Sequence, residues 1–84
     1  MRLPLKIAGI DIGSNAIRYL SVVFESSSAY RVIESERYSV RLAHDVFISG
    51  AMEESAMERA VESLSDAAAR MERDSIAHYR CVAT

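Results

Sequence analysis

The sequence predicts an α/β fold in which a three-stranded antiparallel meander is followed by one helix and then by a strand parallel to an earlier one. Three observations predict it. Leu5 to Ile12 is a nearly continuous apolar run, the pattern of a strand buried on both faces of a sheet. Within residues 53–74, Met57, Ala60, Val61, Leu64, Ala67, Ala68 and Met71 recur at spacings of three and four, the period of an amphipathic helix. Strand-forming residues resume at His78, and a helix between two strands makes a crossover, hence a parallel pairing.

The elements follow in order. Pro4 suits the start of the first strand. Gly13-Ser14-Asn15 is a polar turn, and Ala16 to Phe24, with Val22, Val23 and Phe24, is a second strand. Glu25 to Ala29 is turn-prone and joins a third strand from Tyr30 to about Val40. That strand is interrupted by Arg31, Glu34, Glu36 and Arg37, as in an edge strand guarded against pairing with other chains. Arg41 to Gly50 reads as a loop, with Val46-Phe47-Ile48 tucked into the core and His44-Asp45 a solvated pair rather than a metal or catalytic one. In the helix, Glu53, Glu54 and Glu58 at the start and Arg70 and Arg73 at the end complement the dipole. No Ser or Thr caps it, and Glu53 takes that place. Its Met and Ala stripe is core packing against the sheet. In the last strand Cys81 reads as a small buried hydrophobe and His78 as a boundary residue. This last strand is expected to be central. One helix covers only one face of the sheet, so a bare second face is expected, and with it a longer parent chain.

Eighty-four residues allow one small domain. A net charge of −2 argues against a broad nucleic-acid surface. Residues 1–52 carry six basic and five acidic side chains and residues 53–84 four and seven, so an anion site must be local. Cys81 is the single cysteine, which excludes an internal disulfide and a cysteine-based metal cluster. The opening residues are too short and too interrupted for a signal peptide, and no run approaches the roughly 18 apolar residues of a membrane span. The expectation is a soluble, cytoplasmic chain with neither nucleic acid nor membrane as partner.

The chemistry concentrates at the first hairpin. Gly13 lets the backbone come close to a ligand, and successive turn N–H groups can converge on an anion. Ser14 and Asn15 add side-chain donors, and Arg18 adds a fork suited to phosphate oxygens. Asp11 is the one acceptor, placed to hold a hydrated Mg²⁺ or orient a water. A plain hairpin turn accounts for the same residues. Two details weigh against it: Asp11 sits in an apolar run, where an unpaired carboxylate is costly, and Arg18 interrupts an otherwise apolar strand.

Ile10-Asp11-Ile12-Gly13-Ser14-Asn15-Ala16-Ile17-Arg18 resembles the first phosphate-binding motif of the exopolyphosphatase and guanosine pentaphosphate phosphohydrolase (Ppx/GppA) family. Val40-Arg41-Leu42, Asp45-Val46-Phe47, the passage from Gly50 into the helix, and Tyr79 to Thr84 resemble further segments of that family in the same order. Asn15 and Arg18 separate the motif from the Asp-Gly-Thr hairpins of sugar kinases, actin and heat-shock chaperones. Ala16 replaces the family's usual Ser or Thr, and Ala43 a common Gly.

The resemblance implies an actin-like ATPase (ribonuclease-H-like) fold, with residues 1–84 the N-terminal part of the first of two lobes. It implies Mg²⁺-dependent removal of terminal phosphate from inorganic polyphosphate or guanosine pentaphosphate. Gly13, Ser14, Asn15 and Arg18 would contact phosphate, Arg41 would face the cleft, and Asp11 would organise metal or water. No catalytic base is assigned, since the family's catalytic Glu lies beyond Thr84, and the 84 residues alone are expected to be inactive. The full-length protein is expected to be a homodimer. Two rivals remain: a regulatory module that binds a phosphorylated ligand without hydrolysing it, and an actin-like kinase using the same hairpin for ATP.

Overall fold

In the computed structural model, which describes residues 2–42 and 54–84, the apolar run forms β1 (Leu5–Ile12). The chain turns at Ser14-Asn15 into β2 (Ala16–Ser26) and at Ser27-Ser28 into β3 (Ala29–Ser39). Helix α1 (Glu54–Arg73) then leads to β4 (His78–Ala83). The sheet order is β3-β2-β1-β4. β1 pairs antiparallel with β2 and parallel with β4, and β2 pairs antiparallel with β3, so the meander and crossover stand as expected. β2 and β3 pair as far as Ser26 and Ala29, which shortens the second turn to two residues. The charged β3 is an edge strand. The expectations for Val46-Phe47-Ile48, His44-Asp45 and Glu53 lie outside the described residues.

Strand alternation sorts the side chains onto two faces. Ala8 and Ile10 of β1 and Ile17, Tyr19, Ser21 and Val23 of β2 are buried. Ala8, Ile10, Ile17 and Tyr19 form the core with Val40 and with Ala67 of α1. Burying Ile17, Val23 and Val40 contributes about 1.5–3 kcal/mol each. The opposite face, carrying Gly9, Asp11, Arg18, Leu20, Arg37 and Val82, has no described element over it. Leu20 is 46% and Val82 45% exposed. Among the described residues β1 is therefore covered on one face only, where its sequence pattern predicts two.

Three further expectations are corrected. Among the described residues β4 is the edge strand beyond β1 rather than a central one, and all six of its residues are exposed. Cys81 is accordingly exposed rather than buried. Met57 and Val61 are 48% and 62% exposed, outside the core stripe assigned to them. The first two follow from strand order, since β4 pairs with the open side of β1 and no described strand lies beyond it; the third follows from how the helix is seated. α1 sits on Ala56, Ser63 and Ala67, with Ala60, Leu64 and Met71 packed beside them, and several of its polar ties run to β3 and its end. Arg59 donates two hydrogen bonds to the Val40 carbonyl, Tyr38 donates to Asp66, and Arg70 and Arg73 pair with Glu34. Drawn over β2 and β3, the helix packs Ala60, Leu64 and Met71 against the core and leaves Met57 and Val61 in solvent.

The tie between β3 and α1 carries a pH signature. Burial, with the hydrogen bond to Asp66 second, pushes the Tyr38 hydroxyl from 10.0 up to about 12. The hydrogen bond from Tyr38, followed by that from Arg70, holds the Asp66 carboxyl below its usual value. A folded-state pKa raised above the unfolded one contributes stability that is fully present below pH 10 and is lost as pH rises through about 12. Urea midpoints measured from pH 8 to 12 are expected to decline over that window, and Tyr38→Phe is expected to remove its part of the decline. An unchanged slope in the variant would assign the decline elsewhere.

α1 ends with Ser75 in the left-handed region (φ 56°) and an Ile76 N–H to Met71 carbonyl bond of 3.0 Å, which closes the last turn. Ala77 N–H then donates to the Lys6 carbonyl at 2.9 Å, which fixes the start of β4 beside β1. Among the described residues, no helix is long and apolar enough to cross a membrane.

Candidate functional site

The hairpin tip is held from two sides. Gly13 N–H donates to the Ala16 carbonyl at 2.9 Å, closing a two-residue turn. The Asn15 carbonyl accepts from the N–H groups of Val40 and Arg41 at 3.1 and 2.9 Å, so the end of β3 clamps the tip. Space at Gly13 is tight: a Cβ there would lie 3.1 Å from the Ala16 carbonyl oxygen, so a larger residue would have to shift the turn by a few tenths of an ångström. On the other side the Thr84 N–H donates to the Ile12 carbonyl at 2.9 Å, and the Thr84 hydroxyl donates to Asp11 Oδ1 at 3.2 Å.

A cavity of about 300 Å³ opens at this end of the sheet. Asp11, Gly13, Ser14, Asn15 and Arg18 line it together, so the structure gathers five of the six residues singled out in the sequence. Arg41 is the exception. It is exposed, with φ 53°, and it is absent from the cavity wall. Its backbone braces the tip through the bond to Asn15.

Two wall residues were missed by the sequence reading, Arg37 and Thr84. Arg37 enters through register. Asp11 pairs with Arg18, and Arg18 with Arg37, so the three form a cross-strand row on the bare face. Placing Arg37 there from sequence would have required both turn lengths. Thr84 enters because β4 runs parallel to β1, which sets it beside the tip. Beyond the row, an adjoining hollow of about 630 Å³ runs over Gly9, Leu20 and Val82, with Arg80 on its rim. Its floor is apolar, unlike that of the tip cavity.

Chemically, the tip cavity presents a tight turn, two polar side chains, two guanidinium groups and one carboxylate. Among the described residues neither Arg18 nor Arg37 has a carboxylate ion pair, whereas Arg31, Arg70 and Arg73 each do. An unbalanced positive charge beside a turn suits an anion with several oxygens. No cluster of three or more acidic, His or Cys side chains exists among the described residues. Asp11 alone still fits Mg²⁺, which keeps most of its waters and is commonly held by one or two carboxylates plus substrate phosphate.

No family model matches the sequence, and no curated protein matches it at a significant level. Solved structures do match. The Aquifex aeolicus member of the Ppx/GppA protein family superposes with a TM-score of 0.86 at 20% identity, over 94% of this chain and 26% of that one. An exopolyphosphatase from Cytophaga hutchinsonii gives 0.83 at 22% identity, over 93% and 25%. An exopolyphosphatase-like protein gives 0.80 at 26% identity, over 94% and 24%. The chain spans about a quarter of the length of the structures it matches. Its meander, helix and parallel strand are part of the actin-like ATPase fold that those structures share.

Proposed function

We propose that this chain is a segment of a Ppx/GppA-type phosphatase, in which it contributes the first phosphate-binding loop. The reaction is hydrolysis of the terminal phosphoanhydride bond of inorganic polyphosphate or guanosine pentaphosphate. The observation that carries the reading is the tip cavity, where Gly13, Ser14, Asn15 and Arg18 converge opposite the single carboxylate of Asp11. In the reaction water attacks the terminal phosphorus, the bond to the bridging oxygen breaks, and the shortened substrate leaves with the negative charge. The turn and Arg18 hold the terminal phosphoryl group and stabilise charge on its oxygens. Asp11, oriented by the Thr84 hydroxyl, is the residue that would hold Mg²⁺, which when bound supplies positive charge to the phosphoryl oxygens. The segment binds and orients, and the general base comes from elsewhere in the protein.

The test is orthophosphate release by the intact protein from long-chain polyphosphate and from guanosine pentaphosphate, with Mg²⁺ and no phosphate acceptor. Release without an acceptor supports the hydrolase. ADP formation that requires an acceptor would replace it with the kinase reading. Tight binding without turnover would replace it with the regulatory module.

A further inference from the structure

The row Asp11–Arg18–Arg37 contains an arrangement that the fold alone does not favour. Arg18 and Arg37 are direct register partners on neighbouring strands, so their Cα atoms lie on the order of 5 Å apart with both side chains on one face. Like charges placed directly opposite destabilise a sheet. No carboxylate pairs with either among the described residues, although the chain carries more acidic than basic side chains. Arg37 is also oriented. Its Nη1 donates to Ser39 Oγ at 2.9 Å, and Ser39 lies two residues nearer the tip on the same face, so the bond directs the guanidinium toward the tip. Arg37 lines the tip cavity and the adjoining hollow, as Asp11 and Arg18 do, and of the three it lies farthest from β1. It therefore stands where a ligand longer than one phosphoryl group would leave the loop.

We propose that Arg37 is a specificity residue that binds the second phosphoryl group of a linear polyphosphate chain while the Gly13-Ser14-Asn15 turn and Arg18 hold the terminal one. The proposal rests on the phosphatase reading of the same cavity and extends it to the length of the ligand. Arg37 sits one strand farther from Asp11 than Arg18 does, a step of about 4.8 Å, longer than the advance from one phosphoryl group to the next but within the reach of a long guanidinium side chain. A bidentate fork suits a bridging phosphoryl group, which offers two free oxygens. An orthophosphate ion seated in the turn satisfies Arg18 and has no second group for Arg37.

The experiment compares binding of orthophosphate and of long-chain polyphosphate to the intact protein by calorimetry. Arg37→Gln is expected to weaken polyphosphate at least tenfold and to change orthophosphate by less than twofold. Arg18→Gln is expected to weaken both. Arg31→Gln removes one positive charge from a remote exposed pair with Glu25, and is expected to leave both affinities unchanged. Because Arg37 faces a like charge, Arg37→Gln should melt at the same temperature as the unaltered protein or above it. A variant that melts lower is replaced by Arg37→Lys, which keeps the charge and loses the fork, and which is expected to weaken polyphosphate selectively. Equal weakening of both ligands, or of neither, overturns the proposal while leaving the phosphatase reading intact. Failure of the unaltered protein to bind either ligand overturns both.

Discussion

Asp11→Asn is expected to lower phosphate release about a hundredfold, while binding of polyphosphate in metal-free buffer stays unchanged or tightens. The two halves follow from one placement. Asp11 is the single carboxylate in a cavity otherwise lined by donors and cations. A carboxylate facing a polyanion repels it unless a cation lies between them. Without Mg²⁺, removing the charge therefore removes a repulsion. With Mg²⁺, the same substitution removes the one protein ligand this segment offers the ion. A hundredfold loss corresponds to about 2.7 kcal/mol of transition-state stabilisation, the scale of one electrostatic contact in a preorganised site. Asparagine keeps the size of the side chain and an oxygen able to accept from Thr84, so the fold is expected to be unaffected. The measurement is orthophosphate release over a Mg²⁺ titration, paired with calorimetry in the presence of a chelator. Weakened metal-free binding would make Asp11 a structural support of the loop rather than a metal ligand.

The sequence carried most of the local structure of this chain and little of its second layer. The continuous apolar run, the clusters of strand-forming residues and the three-and-four spacing located β1, β2, β3, β4 and α1, because such signals are written into contiguous residues. The tip was legible for the same reason: Asp11, Gly13, Ser14, Asn15 and Arg18 are neighbours along the chain, and a hairpin keeps them neighbours in space. Arg37 and Thr84 were not, since each reaches the cavity through pairing with a distant strand. The helix shows the limit differently. Its apolar stripe was wide enough to admit more than one seating on the sheet. The choice was made by Arg59, Asp66, Arg70 and Arg73, whose partners on β3 and at its end no local pattern reveals. That choice exposed Met57 and Val61. Arg41 stands apart for a related reason: it was read as a charge, and what the described residues show is its backbone N–H bracing the Asn15 carbonyl.

Arg18→Gln is expected to lower kcat/KM for polyphosphate by at least tenfold, with most of the loss in kcat. Arg18 lies between an opposite charge on β1 and a like charge on β3. Removing it loses an attraction and relieves a repulsion, so its effect on stability is small. An effect on activity without one on folding separates a functional arginine from a structural one. A hydrogen bond to a charged group is worth about 1.5–3 kcal/mol, which sets tenfold as the lower bound for one lost contact. The split between kcat and KM locates the contact. If Arg18 touches the group being transferred, its hold strengthens as charge develops on the phosphoryl oxygens, and kcat falls. If it only attracts the chain into the cavity, KM rises and kcat stays. Arg18→Lys restores charge without the fork, so it is expected to recover binding more than turnover. An unchanged rate in Arg18→Gln would remove Arg18 from the site, and with it the residue that most distinguishes this turn from an ordinary hairpin.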